Sequence, residues 1–257
     1  PKFPRSHELS FLLSYWARTG TSQALEMVTT TLDHLAQGGI HDRLGGGFHR
    51  YATDARWLVP HFEKMLYDQA LLARTYCEAY RVTKRAAYAE AARGIFEYVL
   101  RDLRDPRGGF YSAEDADSEG AEGTFYVWTP AQVATALEPA EAELFSRFYG
   151  VTPDGNFPAT GHGGSATQGG GEHGRSILHI EQPLEIFAKL KGFEPGQLAQ
   201  RLAASRATLF AARNARPRPH RDDKILTSWN GLMIASLAYG ASTLNDPRYL
   251  KAAEEAA

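Results

Sequence analysis

Helical periodicity is the feature that most constrains the fold of this chain. Apolar residues recur three and four positions apart in many windows, the spacing that places them on one face of an α-helix. Strand-like alternation is confined to 108–115 and 123–128, which we expect to pair as a short β-hairpin. The sequence therefore predicts an all-α protein in which the first four helical segments form two hairpins. About ten segments show the pattern: 6–19, 21–39, 62–83, 85–104, 129–138, 140–150, 181–190, 195–214, 226–245 and 247–257.

The connections between these segments alternate between two kinds. Short, turn-like connections alternate with long ones that carry Gly, aromatic and acidic residues, such as 38–54 and 105–128. Both long loops contain Gly-Gly-Phe followed by an aromatic ring, a weak repeat typical of stacked or ring-like helical hairpins. Because every second connection then lies at the same end, we expect these loops to surround a common cavity.

Composition argues against several classes of partner. The chain has 28 Lys and Arg against 30 Asp and Glu and no basic stripe, so nucleic acid is not an expected partner. No apolar run is long enough to span a membrane. The single Cys77 is expected to be a buried thiol in mid-helix, which favours a cytoplasmic location. The chain opens on Pro1 and ends in an uncapped helix, so we expect a piece of a longer protein.

Residues 38–70 concentrate the most chemistry. If the helix that follows begins near Pro60, its first turn presents His61, Glu63 and Lys64, with Tyr67 and Asp68 one turn later on the face of Lys64. The structural alternative is that Glu63 complements the helix dipole and Asp68 pairs with a neighbouring cation. The candidate site residues of this stretch are His49, Arg50, Tyr51, Asp54, Trp57, His61, Glu63, Lys64 and Asp68.

A second stretch, GGFYSAEDADSEG, is rich in carboxylates. Side chains of like charge this close are either solvated or arranged to shift their pKa values or bind a cation. The spacing does not match a calcium loop, so no metal site is predicted. Tyr111, Glu114 and Asp115 are the candidate site residues, whereas Asp117 and Glu119 are expected to cap the turn.

The third stretch, RPRPHRDDKILTSWNGLMI, leads from an extended segment into a helix. Asn230 is a poor helix former among apolar neighbours, which indicates a special demand at that point. Core packing of Trp229, and pairing of Asp222 or Asp223 with a neighbouring cation, are the structural alternatives. The candidate site residues are His220, Asp222, Asp223, Lys224, Trp229 and Asn230.

Aromatic, carboxylate and imidazole side chains around one cavity are typical of sugar sites. Hydrolysis of a glycosidic bond requires two carboxyl groups, one protonated and one ionised. Epimerisation beside a carbonyl requires an acid and a base with pKa values near neutrality, for which His is suited. The sequence contains no phosphate loop, dinucleotide fingerprint, GxSxG elbow or HExxH helix, and no cofactor is expected.

The three stretches also resemble a known family. GGIHDRLGGGFHRYATDARWLVPHFEKMLYDQALL, GGFYSAEDADSEG with GTFYVWT, and RPRPHRDDKILTSWNGLMIASLA are similar to the YyaL-like, or spermatogenesis-associated protein 20, family. The resemblance covers essentially all 257 residues. It implies an N-terminal thioredoxin-like domain joined to an (α/α)6 toroid similar to N-acylglucosamine 2-epimerases and six-hairpin glycosidases. Residues 1–257 would be the first two-thirds of that toroid, without the thioredoxin-like domain and the closing hairpins.

One segment departs from the family pattern. The family reads Gly-Asn-Phe-Glu followed closely by Asn-Ile-Leu-His. Here Gly155-Asn156-Phe157 is separated from Glu172 and from Ser176-Ile177-Leu178-His179 by 159–175, a Gly-rich insertion that we expect to be flexible. Ser176 stands where the family has Asn.

Three functions remain open, because this fold hosts more than one chemistry. The first is a sugar epimerase or isomerase, with His49 or His61 and His220 as acid and base. The second is an inverting glycosidase that uses two of the carboxylates. The third is a binding or redox-accessory module, with the chemistry done by the thioredoxin-like domain. The expected ligand is a small, sugar-like molecule held on a platform of Tyr51, Trp57 and Trp229.

Overall fold

The computed structural model describes residues 1–157 and 174–257. Most of the insertion expected at 159–175, including Glu172, lies outside the described residues. The described residues contain ten α-helices, and a single π-helical turn, Val99–Leu103, continues the fourth. The helices are α1 Ser6–Thr19, α2 Ser22–Gln37, α3 Leu66–Thr83, α4 Ala86–Tyr98, α5 Pro130–Ala136, α6 Pro139–Tyr149, α7 Leu184–Lys191, α8 Pro195–Asn214, α9 Thr227–Leu244 and α10 Pro247–Ala256.

Strands are short and lie in the long loops, as expected. β1 pairs with β2, β5 pairs with β6, and β4 lies between β3 and β7 in a three-stranded antiparallel sheet. The strands are β1 Tyr51–Ala52, β2 Pro60–His61, β3 Lys64–Met65, β4 Ala113–Glu114, β5 Asp117–Ser118, β6 Ala121–Glu122 and β7 Arg221–Asp222.

Three helical hairpins form the larger part of the molecule. α1, α3 and α9 lie side by side in one layer, and α2, α4 and α10 each pack against the first helix of their own hairpin. This two-layered arrangement is that of part of an (α/α) toroid, and it confirms the predicted all-α class and the two predicted N-terminal hairpins. Their common core buries Leu32, Tyr76, Phe96, Met233 and Cys77, and burial raises the pKa of the Cys77 thiol to about 12.

Helices α5 to α8 pack around a separate, smaller core. Phe145, Leu198 and Leu209 are fully buried there. α5 begins with a capping box in which the Thr129 hydroxyl accepts from the Gln132 amide and the Gln132 side chain accepts from the Thr129 amide. The chain therefore has two packed bodies of helices rather than one continuous row.

Two expectations about local structure were wrong. Residues 108–115 do not pair with 123–128, because both edges of β4 are occupied, by β3 on one side and β7 on the other. The helix that follows the glycine loop, the loop around Gly45, Gly46 and Gly47, begins at Leu66 rather than near Pro60. This is because Pro60–His61 and Lys64–Met65 are extended and paired with other strands. His61, Glu63 and Lys64 thus precede the helix instead of forming its first turn.

Candidate functional site

The three-stranded sheet brings the three chemistry-bearing stretches together. β3 leads directly into α3, β7 lies shortly before α9, and α3 packs on α9. Lys64, Glu114 and Arg221 are aligned across the strands. Because side chains alternate along a strand, these three lie on one face of the sheet, and Met65, Ala113 and Asp222 lie on the other. The candidate residues are consequently divided between two separate groups.

The first group is an acid–base cluster at the start of α3, made of Arg50, His61, Glu63, Tyr67 and Asp68. Arg50 donates to Glu63 Oε2 at 2.8 Å, and His61 Nε2 lies 3.6 Å from the same oxygen. All five side chains are partly exposed. Glu63 therefore links a guanidinium to an imidazole at a surface that solvent reaches.

Asp68 has the most altered acidity in the cluster. Burial raises the pKa of its carboxyl to about 7, although the positive charge of Arg50 and a hydrogen bond from Tyr67 oppose the shift; the negative charge of Glu63 adds a smaller upward contribution. Its Oδ2 is buried and has no hydrogen-bond partner among the described residues. A carboxyl of this kind exchanges a proton near neutral pH.

His61 is held by a residue that sequence reasoning missed. Its Nδ1 lies 2.8 Å from Glu122 Oε1, and its ring stacks on Tyr51 at a centroid distance of 4.9 Å. The hydrogen bond to Glu122 raises the pKa of His61, and burial lowers it less. Glu122 lies 61 positions away in β6 and carried no sequence signal as a partner of His61.

An aromatic pair lies beside the cluster and joins the two helices. The Tyr67 ring on α3 meets the Trp229 ring on α9 edge to face, with centroids 4.8 Å apart. Both residues are half-buried, so Trp229 is only partly core. Tyr67 was not among the predicted site residues, although the helical pattern of the sequence placed it one turn after Lys64.

The second group is a buried charge network on the face of the sheet that carries Lys64. Asp42 accepts from Lys64 Nζ at 2.8 Å and from both terminal nitrogens of Arg213 at 2.7 and 2.9 Å. Lys64 is 1 % exposed and also donates to the Gly46 carbonyl. Gly46 has φ +77°, and a Cβ there would lie 2.3 Å from the Gly94 carbonyl oxygen. The glycine loop is thus shaped to hold Lys64, and the prediction that Lys64 binds substrate is corrected.

Two further candidates are buried away from solvent. His49 is 1 % exposed, and its Nδ1 donates to the Phe62 carbonyl. Burial and the charge of Lys64 hold the pKa of His49 well below its ordinary value, so it stays neutral and enclosed. Trp57 is 5 % exposed in the main core. Neither the predicted acid–base role of His49 nor the predicted sugar platform of Trp57 fits these positions.

Three candidates use their polar atoms to fix loops. Asp54 accepts from the amides of residues 56, 58 and 59. The Tyr111 hydroxyl donates to Asp105 Oδ2 at 2.8 Å. Asn230 accepts from the Phe110 amide and donates to its carbonyl, at 2.8 and 2.9 Å. These contacts correct the predicted substrate-binding roles, because the groups are already satisfied within the protein.

The remaining candidates lie near β4 and β7. Asp222 Oδ2 accepts from Lys224 Nζ at 2.5 Å, the structural alternative considered for this pair. Asp115 is exposed and accepts from the amide of Ala116. Glu114, His220 and Asp223 line a cleft that does not include the acid–base cluster. The structure therefore does not bring His220 into the acid–base cluster beside His61.

Neither a metal site nor a membrane span was found in the part of the chain that the structure describes. Within residues 1–157 and 174–257, no group of three or more His, Cys, Asp or Glu is placed to hold a metal ion. Within the same ranges, no helix combines the length and apolar character that crossing a membrane requires.

Fold and site together define a helical-hairpin protein with an acid–base cluster where the neighbouring helices α3 and α9 begin. The whole chain is 41% identical to spermatogenesis-associated protein 20 of Homo sapiens, over 276 aligned residues that make up 34% of that protein. The chain is thus homologous along its length to one part of spermatogenesis-associated protein 20, and it spans about a third of the curated relatives that it matches. No family model matches it.

Solved structures of carbohydrate-active proteins are also similar to the chain. A sugar epimerase from a ruminal bacterium is 12% identical, with a TM-score of 0.40 over 98% of this chain and 72% of that one. A family 76 glycoside hydrolase from Bacteroides thetaiotaomicron is 14% identical, with a TM-score of 0.39 over 95% of this chain and 43% of that one.

Proposed function

We propose that the protein catalyses proton transfer on a small, sugar-like substrate, as a sugar epimerase or isomerase does. The observation that supports this most directly is Asp68, a largely buried carboxyl whose pKa of about 7 suits it to act as a base at physiological pH. His61, with its raised pKa, belongs to the same cluster and supplies the complementary acid. Trp229 and Tyr67 offer aromatic faces beside them.

The proposed reaction has two steps, and one proton is transferred in each. Ionised Asp68 removes the proton from the carbon next to the substrate carbonyl, and the electron pair moves onto the carbonyl oxygen to give an enolate. Arg50 stabilises the negative charge that develops there. Protonated His61 then delivers a proton to the opposite face of the carbon, which inverts it. Exchange of both side chains with water restores the starting state.

A hydrolase is the second candidate, and one observation favours it. Burial raises the pKa of Asp68 to about 7, whereas Glu63 is paired with the Arg50 guanidinium at 2.8 Å. Two carboxyls in different environments are what an inverting glycosidase requires. In this case Asp68 protonates the leaving oxygen and Glu63 activates water.

Proton NMR in deuterated water separates these alternatives. We would incubate the full-length protein with a panel of reducing sugars and glycosides. Deuterium entering a sugar carbon supports epimerisation, whereas new anomeric signals from glycosides support hydrolysis. If neither signal appears while the protein is folded, both the epimerase and the hydrolase proposals are contradicted. The ligand-binding or redox-accessory alternative, which depends on the predicted thioredoxin-like domain, then remains.

Asp68→Asn distinguishes a catalytic from a structural role. We expect at least a 100-fold loss of turnover, and the wild-type rate should rise with pH through about 7 as Asp68 ionises. Because the folded pKa lies above the unfolded one, the proton stabilises the fold, and this stability is lost as pH rises towards about 7. The variant should therefore be as stable as wild type at pH 8, or more so. Glu143→Gln, an exposed carboxyl on α6, is the control and should change neither property.

A further inference from the structure

A cleft of about 470 Å³ lies on the side of the sheet that carries Glu114 and Arg221. This volume is within the range of small-molecule sites. The acid–base cluster does not contribute to it, so the cleft is a separate feature of the molecule. We call it the arginine cleft; the lining residues used below are Arg101, Asp102, Glu114, Arg218, Arg221 and Asp223.

The buried carboxylates of the arginine cleft are already neutralised. Arg218 bridges them, with nitrogens 3.2 Å from Asp102 Oδ1 and 3.0 Å from Glu114 Oε1. Arg101 pairs with the second oxygen of Asp102 at 2.5 Å, and the Tyr98 hydroxyl donates to the second oxygen of Glu114 at 2.7 Å. A cation entering the cleft would have to displace a guanidinium from these carboxylates.

Arg221 is the one guanidinium of the arginine cleft that has no carboxylate within ion-pair distance among the described residues. It is nevertheless held in place, because its charge lies 4.2 Å from the centre of the Tyr111 ring and its Nη1 donates to the Asp102 carbonyl. Tyr111 is in turn fixed by its hydrogen bond to Asp105. A guanidinium oriented in advance binds a planar or tetrahedral oxyanion through two parallel hydrogen bonds.

The charge behind the arginine cleft favours the same ligand. Asp42, buried on this side of the sheet, faces both Lys64 and Arg213, so that group carries one more positive than negative charge. Within the cleft itself, three guanidiniums face three carboxylates; among the residues that the structure describes, the exposed Asp223 is the one of these carboxylates that is not ion-paired. A single negative charge on a ligand balances the excess.

We propose that the arginine cleft binds a small molecule through an oxyanion, either a carboxylate or a phosphate group, that pairs with Arg221 beside the Arg218-bridged carboxylates. This site is independent of the acid–base cluster and of the function proposed for it. The chemistry of recognition is shared by sugar acids and by phosphorylated sugars, so the two sources are separated by experiment.

Isothermal titration calorimetry of the full-length protein with inorganic phosphate and with acetate, at ionic strength fixed by chloride, tests the proposal. We expect saturable one-site binding of at least one anion, and the preferred anion identifies the source. Arg221→Gln should weaken it about tenfold or more, and Arg221→Lys, which keeps the charge without the fork, should fall between.

Arg81→Gln is the matched control, because Arg81 also stacks on a tyrosine and donates to it, at Tyr239. Its binding of anions should equal that of wild type, as should that of Asp68→Asn. The proposal is overturned if wild type binds neither anion, if Arg221→Gln binds as tightly as wild type, or if the Arg81 variant is weakened equally. Because Asp68→Asn changes the acid–base cluster and not the arginine cleft, its anion binding tests the cleft independently of the catalytic proposal.

Discussion

Asp42 is the residue on which the buried face of the sheet depends. It is 6 % exposed, and its carboxylate is the shared counterion of Lys64 and Arg213. Burial alone would raise the pKa of Asp42, but attraction to these two cations holds it well below its ordinary value. The stability that this carboxylate contributes is therefore present at neutral pH and is lost as pH falls towards its folded pKa.

Replacing Asp42 should destabilise the fold strongly. Asp42→Asn keeps the shape but leaves two buried cations without a negative partner, for which we expect a loss of about 3–5 kcal/mol in the free energy of unfolding. Urea denaturation followed by circular dichroism measures this loss. Glu143→Gln, whose partner Arg147 is exposed, should change stability by less than about 1 kcal/mol. Equal effects of the two substitutions would contradict a special role for Asp42.

Candidate residues of the same type occupy different environments, because the burial of a side chain depends on tertiary contacts and not on its neighbours in the sequence. His49 and His61 lie in one loop and were equally plausible acids or bases, yet His49 is enclosed by Phe62 and Tyr126 whereas His61 lies at the surface. Lys64 and Glu63 are adjacent, yet Lys64 is 1 % exposed in the buried charge network whereas Glu63 is partly exposed in the acid–base cluster. The sequence identified the stretch, and only the tertiary contacts distinguish its members.

At the scale of elements, Asn230 shows how one side chain attaches a helix to a loop. It lies in the first turn of α9, and its amide makes both backbone hydrogen bonds that a neighbouring strand would have made to Phe110. The sequence indicated a special demand at this position, correctly, because a polar residue with poor helix propensity stood among apolar ones. It did not indicate that the partner is a backbone segment rather than a ligand.

Removing this amide should loosen α9 from the loop. Asn230→Ala leaves the buried amide and carbonyl of Phe110 without partners, and we expect a loss of about 1–3 kcal/mol in the free energy of unfolding, measured by urea denaturation. The control on the same helix is Ser242→Ala, whose exposed hydroxyl donates to the Tyr239 carbonyl within its own helix. A neutral effect of Asn230→Ala would show that water replaces the amide.

The boundaries of the elements show what hydrophobic periodicity does not predict. Residues 62–83 have a continuous helical pattern, but the helix starts at Leu66 because β3 is drawn into a sheet with β4. Strands of two residues are too short to show an alternating pattern of apolar and polar residues. Neither the start of the helix at Leu66 nor the absence of pairing between 108–115 and 123–128 could therefore be predicted from the sequence. Helices of ten or more residues were predicted well, because each carries its own periodic signal.

At the scale of the whole molecule, the hairpin body and the α5 to α8 body have separate cores. Helical hairpins and their order could be predicted because their contacts are local. The division into two cores could not, because it depends on which apolar faces meet. The thioredoxin-like domain, the closing hairpins and the cytoplasmic location stay predictions, since the chain spans about a third of its curated relatives.

The two bodies should differ in their response to a core mutation. Phe145→Ala removes a fully buried ring from the smaller core, for which we expect a loss of about 3–5 kcal/mol. Native-state hydrogen exchange should show lost protection in α6 and α8 while α3 and α9 keep theirs. Phe96→Ala, in the larger core, is the reciprocal control and should expose α4 and α9. Uniform loss in both variants would mean that the molecule unfolds as one unit.

The three-stranded sheet also makes the candidate site one of the last features to form during folding. Each helical hairpin closes a short loop, whereas Ser112 and Asp222, bonded across the edge of β4 and β7, are 110 residues apart. A refolding chain can therefore regain its helical signal while the sheet, and with it the start of α3 and the arginine cleft, is still unassembled. Recovery of ligand binding should lag behind recovery of helix content, so that binding reports the completion of folding.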